Sequence, residues 1–177
     1  TLCRLLNFSI DRGYGLDHNP ALNIKKKKQG EGDGFAPWLP DNIDLAMTNL
    51  TGIPRTAFYI AYFTGQRSSD IRQMKLTDIA GDLVHVVQEK TGAEIWVPLH
   101  PDLQAELAVT ERRGETIIAA GLLRSDGIPS PTAGQPLSQD GFKRYWQRER
   151  KHLGQSGDKY ENTLHGLRKN ATIKLLE

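Results

Sequence analysis

The folding of this chain is dominated by a helix that must stop at Gly65 and restart a few residues later. The preceding residues carry apolar side chains at helical spacing, and glycine accepts the left-handed conformation of a helix C-cap. Ser68 or Ser69 then predicts the N-cap of a second helix, which continues to Lys75. Arg67 is therefore expected in a rigid corner between two helices, with its guanidinium free to bind an anion.

Two short apolar stretches after this corner predict a β-hairpin. Residues 83–88 and 94–97 have the composition of strands, and Gly92 marks the turn between them. Lys90 is expected at the tip of this hairpin. Lysines are common in such turns and most are merely solvated, so a functional role for Lys90 competes closely with a bland one.

A histidine and an arginine three residues apart form the third feature. If residues 164–170 are helical, His165 and Arg168 share one face of that helix. The buried stripe of this helix is expected to be Leu164, Leu167, Ala171 and Leu175. A lone histidine is more often a hydrogen-bonded core residue, but an arginine one turn away favours a shared site.

Arg67, Lys90, His165 and Arg168 together form a cationic set suited to a phosphodiester. Breaking a P–O bond requires stabilising charge on the non-bridging oxygens and protonating the leaving oxygen. The arginine fork suits the first task, and lysine and histidine, whose pKa values can be tuned, suit the second. Asp70 is interpreted as a structural support whose carboxylate favours the start of the second helix. Acidic residues are scattered and the sequence lacks phosphate-loop, dinucleotide and zinc-protease motifs, so neither a metal nor a cofactor is expected.

At these positions the chain resembles the tyrosine recombinases, and specifically their phage-integrase branch. The similar segments are TGQRSSDI at 64–71, KTG at 90–92 followed by WVPL at 96–99, and HGLR at 165–168. The resemblance implies an α+β fold that is mostly α-helical, with a small antiparallel β-sheet. It also implies site-specific DNA recombination through a covalent 3′-phosphotyrosine intermediate, for the integration or excision of a mobile element or prophage.

The same resemblance assigns a role to each cation. Arg67 and Arg168 would hold the scissile phosphate, and Lys90 would protonate the 5′-oxygen leaving group. His165 would act as an acid/base partner and phosphate donor. The implied partners are double-stranded DNA and other copies of the protein assembled on it, without metal or membrane.

The chain departs from the family pattern after the His-x-x-Arg helix. There the family continues to another histidine or tryptophan and then to the nucleophilic tyrosine, whereas Tyr145 and Tyr160 both precede His165. We therefore expect a piece of a longer protein, truncated before the nucleophile and inactive by itself. The alternative is a non-catalytic DNA-binding protein that retains the recombinase fold.

The sequence divides into three parts. Residues 1–24 hold a helical apolar pattern before an Asn-Pro pair, and the resemblance implies the C-terminal remnant of an N-terminal core DNA-binding domain. Residues 25–37 are typical of a basic, glycine-rich linker, and residues 38–177 form the expected catalytic domain. Further helices are predicted at 1–12, 38–49, 101–110 and 138–153, with a third strand at 116–120 and an irregular loop at 121–136.

A formal net charge of only +2 means that affinity for DNA must come from local clusters of cations. Two clusters are candidates for phosphate contacts, although each could be only a solvated surface. They are Lys25, Lys26, Lys27 and Lys28 in the linker, and Lys143, Arg144 and Arg148 on the predicted helix at 138–153. A single cysteine and the lack of an apolar stretch long enough to span a bilayer predict a cytoplasmic location.

Overall fold

The chain divides into two compact units, Thr1–Gly34 and Phe35–Glu177. The structure is a computed structural model that describes residues 2–15, 17–20, 22, 35–121, 127–128, 130–154 and 162–174, with residues 2 and 3 described by their backbone. In the first unit, helix α1 (Leu2–Asp11) confirms the helix predicted at residues 1–12. The assignment of the three parts of the chain to domains stays a prediction.

The described part of the second unit has the predicted α+β architecture and is mostly α-helical. Its helices are α2 (Pro40–Asn49), α3 (Gly52–Thr64), α4 (Ser68–Gln73), α5 (Pro101–Val109), α6 (Gln139–His152) and α7 (Leu164–Lys174). The helices predicted at 38–49, 101–110 and 138–153 are therefore confirmed to within two residues at each end. A short 3-10 helix, Leu76–Asp78, follows α4.

A three-stranded antiparallel sheet contains the predicted hairpin. Its strands, which pair in chain order, are β1 (Ile79–Ala80), β2 (Leu83–Val87) and β3 (Glu94–Pro98). The two hairpin strands run from Leu83 opposite Pro98 to Val87 opposite Glu94. The turn between them contains Gly92 with φ of 67°, in the left-handed region that favours glycine.

The third strand is β1 and not residues 116–120, so that prediction is wrong. Within the described residues, this segment makes only isolated bridges, between Lys75 and Thr116 and between Ala119 and Pro136. The Thr116 hydroxyl donates to the backbone carbonyl two residues later, at 2.9 Å, which the geometry of an extended strand does not allow. The apolar run that predicts a strand here forms a buried loop in the structure. The prediction fails because burial in a loop and pairing in a strand leave similar patterns in a short sequence.

Helix α3 is the centre of the hydrophobic core. Ala57, Phe58, Ile60 and Ala61 have no solvent-accessible surface, and α3 packs against α5 and α7. A helix with apolar residues on most of its circumference is stable only in such a buried position. It ends as predicted at Gly65, whose φ is 64° and whose N–H donates to the carbonyl of Ala61 at 3.0 Å.

The second helix of the corner starts earlier than predicted. Its N-cap is Arg67, in an extended backbone conformation, and Ser68 and Ser69 already lie inside α4. The early start is possible because the turn is tight: Gln66 is buried and its amide donates to the carbonyl of Thr64 at 3.0 Å. The prediction of a serine N-cap is therefore wrong by one or two residues.

This helix also ends earlier than predicted. It stops at Gln73, and Lys75 lies outside it. The reason is that the carbonyl of the buried Met74 accepts a hydrogen bond from the N–H of Ile117, at 2.9 Å, instead of continuing the helical pattern. A partner more than forty positions away in the sequence thus ends α4.

Contacts with the segment before α2 fix the position of α7. The side chain of Asn170 accepts a hydrogen bond from the Trp38 N–H at 2.7 Å and donates one to the Trp38 carbonyl at 2.9 Å. The Trp38 indole donates to the carbonyl of Thr163 at 2.8 Å, just before α7 begins. Gly166 lies so close to this segment that an added Cβ would stand 2.3 Å from the Ala36 carbonyl oxygen.

We expect Gly166→Ala to destabilise the protein even though alanine favours helices over glycine by about 1 kcal/mol. The new methyl group would overlap the backbone at Ala36, which must move, and overpacking of this kind costs about 1–3 kcal/mol. Urea unfolding measures the difference. Gly141→Ala is the control, because a Cβ added there would first meet the end of the Ser138 side chain, at 3.1 Å, and not a backbone atom. Equal stability of Gly166→Ala and the wild type would contradict the close packing of α7.

Candidate active site

Arg67 occupies the corner predicted for it, but its guanidinium is not free. Its Nη1 donates a hydrogen bond to Oε1 of Gln88 at 3.1 Å and lies 3.9 Å from Oδ2 of Asp70. The expectation of an unpaired guanidinium is therefore wrong. The β2–β3 hairpin folds back onto the corner, and a contact between residues 21 positions apart leaves no local pattern in the sequence.

Asp70 connects this corner to the hairpin. It is 3% exposed, and its Oδ1 accepts hydrogen bonds from the backbone N–H of Glu89 at 3.1 Å and from the Ser69 hydroxyl at 3.2 Å. Its Oδ2 is also buried and accepts no hydrogen bond from the residues that the structure describes. Asp70 lies in the first turn of α4, where it was predicted to favour the start of the helix, and its contact with Glu89 also fixes the residue that precedes Lys90.

His165 and Arg168 on α7 line the same cavity as Arg67, with a volume of about 310 Å³. The other lining residues are Gln66, Ser68, Ser69, Arg72, Glu89, Gln139 and Leu164. The helix predicted around the His-x-x-Arg pair is confirmed, and Leu164, Leu167 and Ala171 are buried as expected. Leu175, the fourth residue of the predicted stripe, lies outside the described residues. Three of the four predicted site residues thus meet in one place, although they come from distant parts of the sequence.

Lys90 lies at the edge of this arrangement. It is exposed in the turn of the hairpin, next to Glu89, and does not line the cavity. Its charge nevertheless contributes to lowering the pKa of His165. The structure therefore places Lys90 close enough to act on His165 electrostatically, while its side chain is exposed to solvent.

The imidazole of His165 is kept neutral by its surroundings. Partial burial lowers its pKa below the ordinary value of 6.5, and four neighbouring cations lower it further. In decreasing order of effect, these are Arg168, Lys169, Arg67 and Lys90. Although the residue as a whole is exposed, its ring lies against that of Phe35, with 4.8 Å between centroids. A neutral imidazole offers one hydrogen-bond acceptor and one donor, so it can receive a proton as well as give one.

The charged form of Arg168 is also disfavoured by its surroundings. Burial lowers the pKa of its guanidinium and the charge of Arg67 lowers it further, while Asp70 acts in the opposite direction. An arginine still keeps its proton near neutral pH. Two charged guanidiniums held close together favour an anion between them, and a phosphate oxygen pair matches their planar forks.

Sequence reasoning missed two residues that contact this site. Phe35, which covers His165, was assigned to the linker, where a single aromatic residue among glycines and charges was the available signal. Gln88, which bonds to Arg67, ends an apolar run and carries no signal of its own.

The candidate DNA-contacting cations are only partly described. Lys25, Lys26, Lys27 and Lys28 lie outside the described residues, whereas Lys143, Arg144 and Arg148 are exposed on α6. Arg148 is partly engaged, since its Nε is 3.4 Å from Glu149 and its guanidinium lies 5.2 Å from the centre of the Tyr145 ring. Contact of these residues with DNA stays a prediction.

Neither tyrosine considered in the sequence is placed at the site by this structure. Tyr145 lies on α6 and does not line the cavity, and Tyr160 is outside the described residues. Of the helices described, none is long and apolar enough to cross a membrane. Across the same residues, no three histidine, cysteine or acidic side chains are grouped so that they could hold a metal ion.

The lowered pKa of His165 predicts a specific pH dependence of stability. Well above pH 6.5 the imidazole is neutral in both the folded and the unfolded state. As the pH falls below that value, the unfolded state takes up the proton first, so the free energy of unfolding decreases until the pH passes the folded-state pKa. We expect His165→Gln, which cannot titrate, to lose less stability than the wild type between about pH 7 and about pH 5.

Urea unfolding at a series of pH values measures this difference. His152→Gln, which replaces an exposed histidine of α6 outside the cavity, is the matched control and should follow the wild type more closely. Identical pH profiles for His165→Gln and the wild type would show that neither burial nor the cations lower the pKa of this imidazole.

Comparisons with known proteins agree with the fold. Residues 41–177 match the phage integrase family. The integrase of Enterobacteria phage 434 is 37% identical over 123 residues, which make up 64% of this chain and 32% of that integrase. Among solved structures, a lambda integrase dimer bound to a COC′ core site has 27% identity and a TM-score of 0.67, covering 96% of this chain and 48% of that one.

A lambda integrase tetramer bound to a Holliday junction has 28% identity and a TM-score of 0.66, covering 98% of this chain and 51% of that one. The chain spans only about a third of the length of the phage 434 integrase. Because the family match extends over most of its residues, the chain belongs to the phage integrase family.

Proposed function

We propose that this chain is the catalytic part of a tyrosine-type site-specific recombinase that integrates or excises a mobile element or prophage. The reaction would cut and rejoin double-stranded DNA through a covalent 3′-phosphotyrosine. The observation that carries this proposal is the cavity where Arg67, His165 and Arg168 meet, beside the hairpin that carries Lys90. Convergent cations are what the transition state of phosphodiester cleavage requires.

The two arginines would bind the scissile phosphate. They approach it from different elements, Arg67 from the corner before α4 and Arg168 from α7, so each could hold a separate non-bridging oxygen. Stabilising the charge that develops on these oxygens is usually the largest single contribution to such a reaction. This task needs groups that stay protonated, as arginine does.

The proton transfers would fall to Lys90 and His165. A tyrosine C-terminal to α7, which residues 1–177 do not include, would attack the phosphorus while the bond to the 5′-oxygen breaks. Lys90 would give its proton to the departing 5′-oxygen, and the neutral His165 would act as the acid/base partner and donate a hydrogen bond to the phosphate.

The partners proposed are double-stranded DNA and further copies of the same protein assembled on it. The support comes from the similar lambda integrases, whose structures are of a dimer on a core site and a tetramer on a Holliday junction. A cytoplasmic location, where such DNA is accessible, completes the proposal. No metal takes part in the proposed steps.

We expect residues 1–177 to bind mixed-sequence duplex DNA weakly and with a steep dependence on salt. Each phosphate neutralised by a cation releases a counterion, so the logarithm of affinity should fall linearly with the logarithm of salt concentration. Replacing Lys143, Arg144 and Arg148 together by alanine should reduce the slope by roughly one per cation that contacts DNA. Fluorescence anisotropy at a series of salt concentrations measures both quantities.

Arg112→Ala is the control for charge alone, because Arg112 is exposed and lines a different cavity. It should leave the slope nearly unchanged. Binding that does not depend on salt, or no binding at low salt, would contradict a DNA-contacting surface.

Lys90 can be tested with a substrate whose leaving group needs no proton. In a version of the protein that includes the tyrosine, Lys90→Ala should cleave ordinary DNA about 10²–10⁴ times more slowly, the usual contribution of a positioned proton donor. Replacing the bridging 5′-oxygen by sulfur should restore a rate close to normal, since a thiolate leaves without a proton. Arg67→Ala should be slow on both substrates, because charge on the non-bridging oxygens must still be stabilised.

The outcomes separate the possible roles of Lys90. Normal cleavage of ordinary DNA by Lys90→Ala would make it a solvated turn residue. Equal slowing on both substrates would show that it contacts DNA without acting as the acid. If the version that includes the tyrosine and carries no substitution never forms a covalent adduct with DNA, the alternative of a non-catalytic DNA-binding protein is favoured.

A further inference from the structure

The side chain of Gln88 lies between the corner that carries Arg67 and the hairpin turn that carries Lys90. Its Oε1 accepts hydrogen bonds from Arg67 Nη1 at 3.1 Å and from the Thr91 hydroxyl at 3.0 Å. Its Nε2 lies 3.5 Å from Oε1 of Gln66, at the limit of hydrogen-bond distance. Gln88 therefore links the corner before α4 to the turn that contains Lys90.

The buried Asp70 carboxylate competes for the same guanidinium. Its Oδ2 accepts no hydrogen bond from the described residues and lies 3.9 Å from Arg67 Nη1, beyond hydrogen-bond distance. A buried carboxylate oxygen without a donor is costly, so it attracts the nearest cation. A movement of about 1 Å would bring Nη1 within the usual length of a charged hydrogen bond.

In the structure, Arg67 Nη1 is hydrogen-bonded to Gln88 and not to Asp70. We infer that Gln88 is a positioning residue that holds the Arg67 guanidinium away from the Asp70 carboxylate, so that it remains available to a phosphate in the cavity. The inference deepens the proposed function and rests on it for its chemical meaning. The competition between Gln88 and Asp70 can be tested independently.

The same network links Arg67 to the position of Lys90. Gln88 precedes Lys90 by two residues, and the backbone N–H of the intervening Glu89 donates to Asp70 Oδ1 at 3.1 Å. The hairpin is therefore attached to the corner both by a side chain and by its backbone. Loss of Gln88 would leave the backbone attachment intact and release mainly the guanidinium, which makes the two effects separable.

A double-mutant cycle tests this inference on residues 1–177. Gln88→Met keeps the length of the side chain but removes its hydrogen bonds. Asp70→Asn keeps an oxygen that can accept from Glu89 but removes the charge that attracts Arg67. If Gln88 acts against Asp70, Gln88→Met should have a large effect in the wild-type background and a small one in the Asp70→Asn background.

The first readout is independent of DNA and uses NMR titration of the His165 ring protons. The charge of Arg67 helps to lower the pKa of His165, and Arg168, Lys169 and Lys90 act in the same direction. If the guanidinium turns towards Asp70, Gln88→Met should raise the pKa of His165, as Arg67→Ala should. In the Asp70→Asn background, the same substitution should cause little further change.

The second readout is the salt dependence of binding to mixed-sequence duplex DNA. Arg67→Ala should reduce the slope by roughly one phosphate contact. Gln88→Met should reduce it by a similar amount in the wild-type background and by much less when Asp70 is replaced by asparagine. Gln104→Met is the matched control, since this glutamine donates to the carbonyl of Leu99 away from the cavity.

The inference is overturned if Gln88→Met leaves the His165 titration unchanged, or changes it equally in both backgrounds. If Gln88→Met does not fold, the same measurements are made on Gln88→Leu. If Arg67→Ala does not alter DNA binding, the proposed function fails instead, and the NMR cycle still decides the role of Gln88.

Discussion

The close approach of α3 and α7 at Gly65 is the constraint on which the site depends. A Cβ at this position would lie 3.4 Å from Cβ of Ala171 and 4.0 Å from Cγ of Arg168, and φ of 64° strains any other residue. The chain can therefore turn out of α3 directly beside α7. Because Arg67 follows two residues later, the turn brings its guanidinium close to that of Arg168.

Bringing like charges together opposes folding, and the surrounding core offsets this cost. At a separation of several ångströms, two charges near the surface repel by a few kcal/mol at most. The aromatic cluster beside α7 buries Trp38 with Phe58 and Trp146, at ring separations of 5.4 and 6.1 Å. Burial of each large apolar side chain contributes about 1.5–3 kcal/mol, so the core outweighs the repulsion. The two hydrogen bonds between the Asn170 side chain and the Trp38 backbone help to fix the position of α7.

The features predictable from the sequence were those encoded by neighbouring residues. The stop at Gly65, the hairpin around Gly92 and the Ser138-capped helix each follow from local backbone preferences, and each is observed. The end of α4 at Gln73 and the pairing of β1 depend on residues brought close only by folding, and both were missed. The site shows the same division: its cations stand out by type and spacing, whereas Gln88 is recognisable only from its distance to Arg67.

The arrangement also explains why a phosphate would do more than bind. Besides burial, four cations lower the pKa of His165, and their effect favours the neutral imidazole while no anion compensates these charges. A phosphodiester held by Arg67 and Arg168 brings negative charge within a few ångströms, and such a charge favours the protonated form of histidine. The same event that neutralises the arginines would therefore favour protonation of His165, which would replace the acceptor of the neutral imidazole by a second donor. Binding and proton transfer would then be coupled electrostatically. Among the described residues, the buried Asp70 is the only carboxylate that acts on the pKa of Arg168, and it raises that pKa.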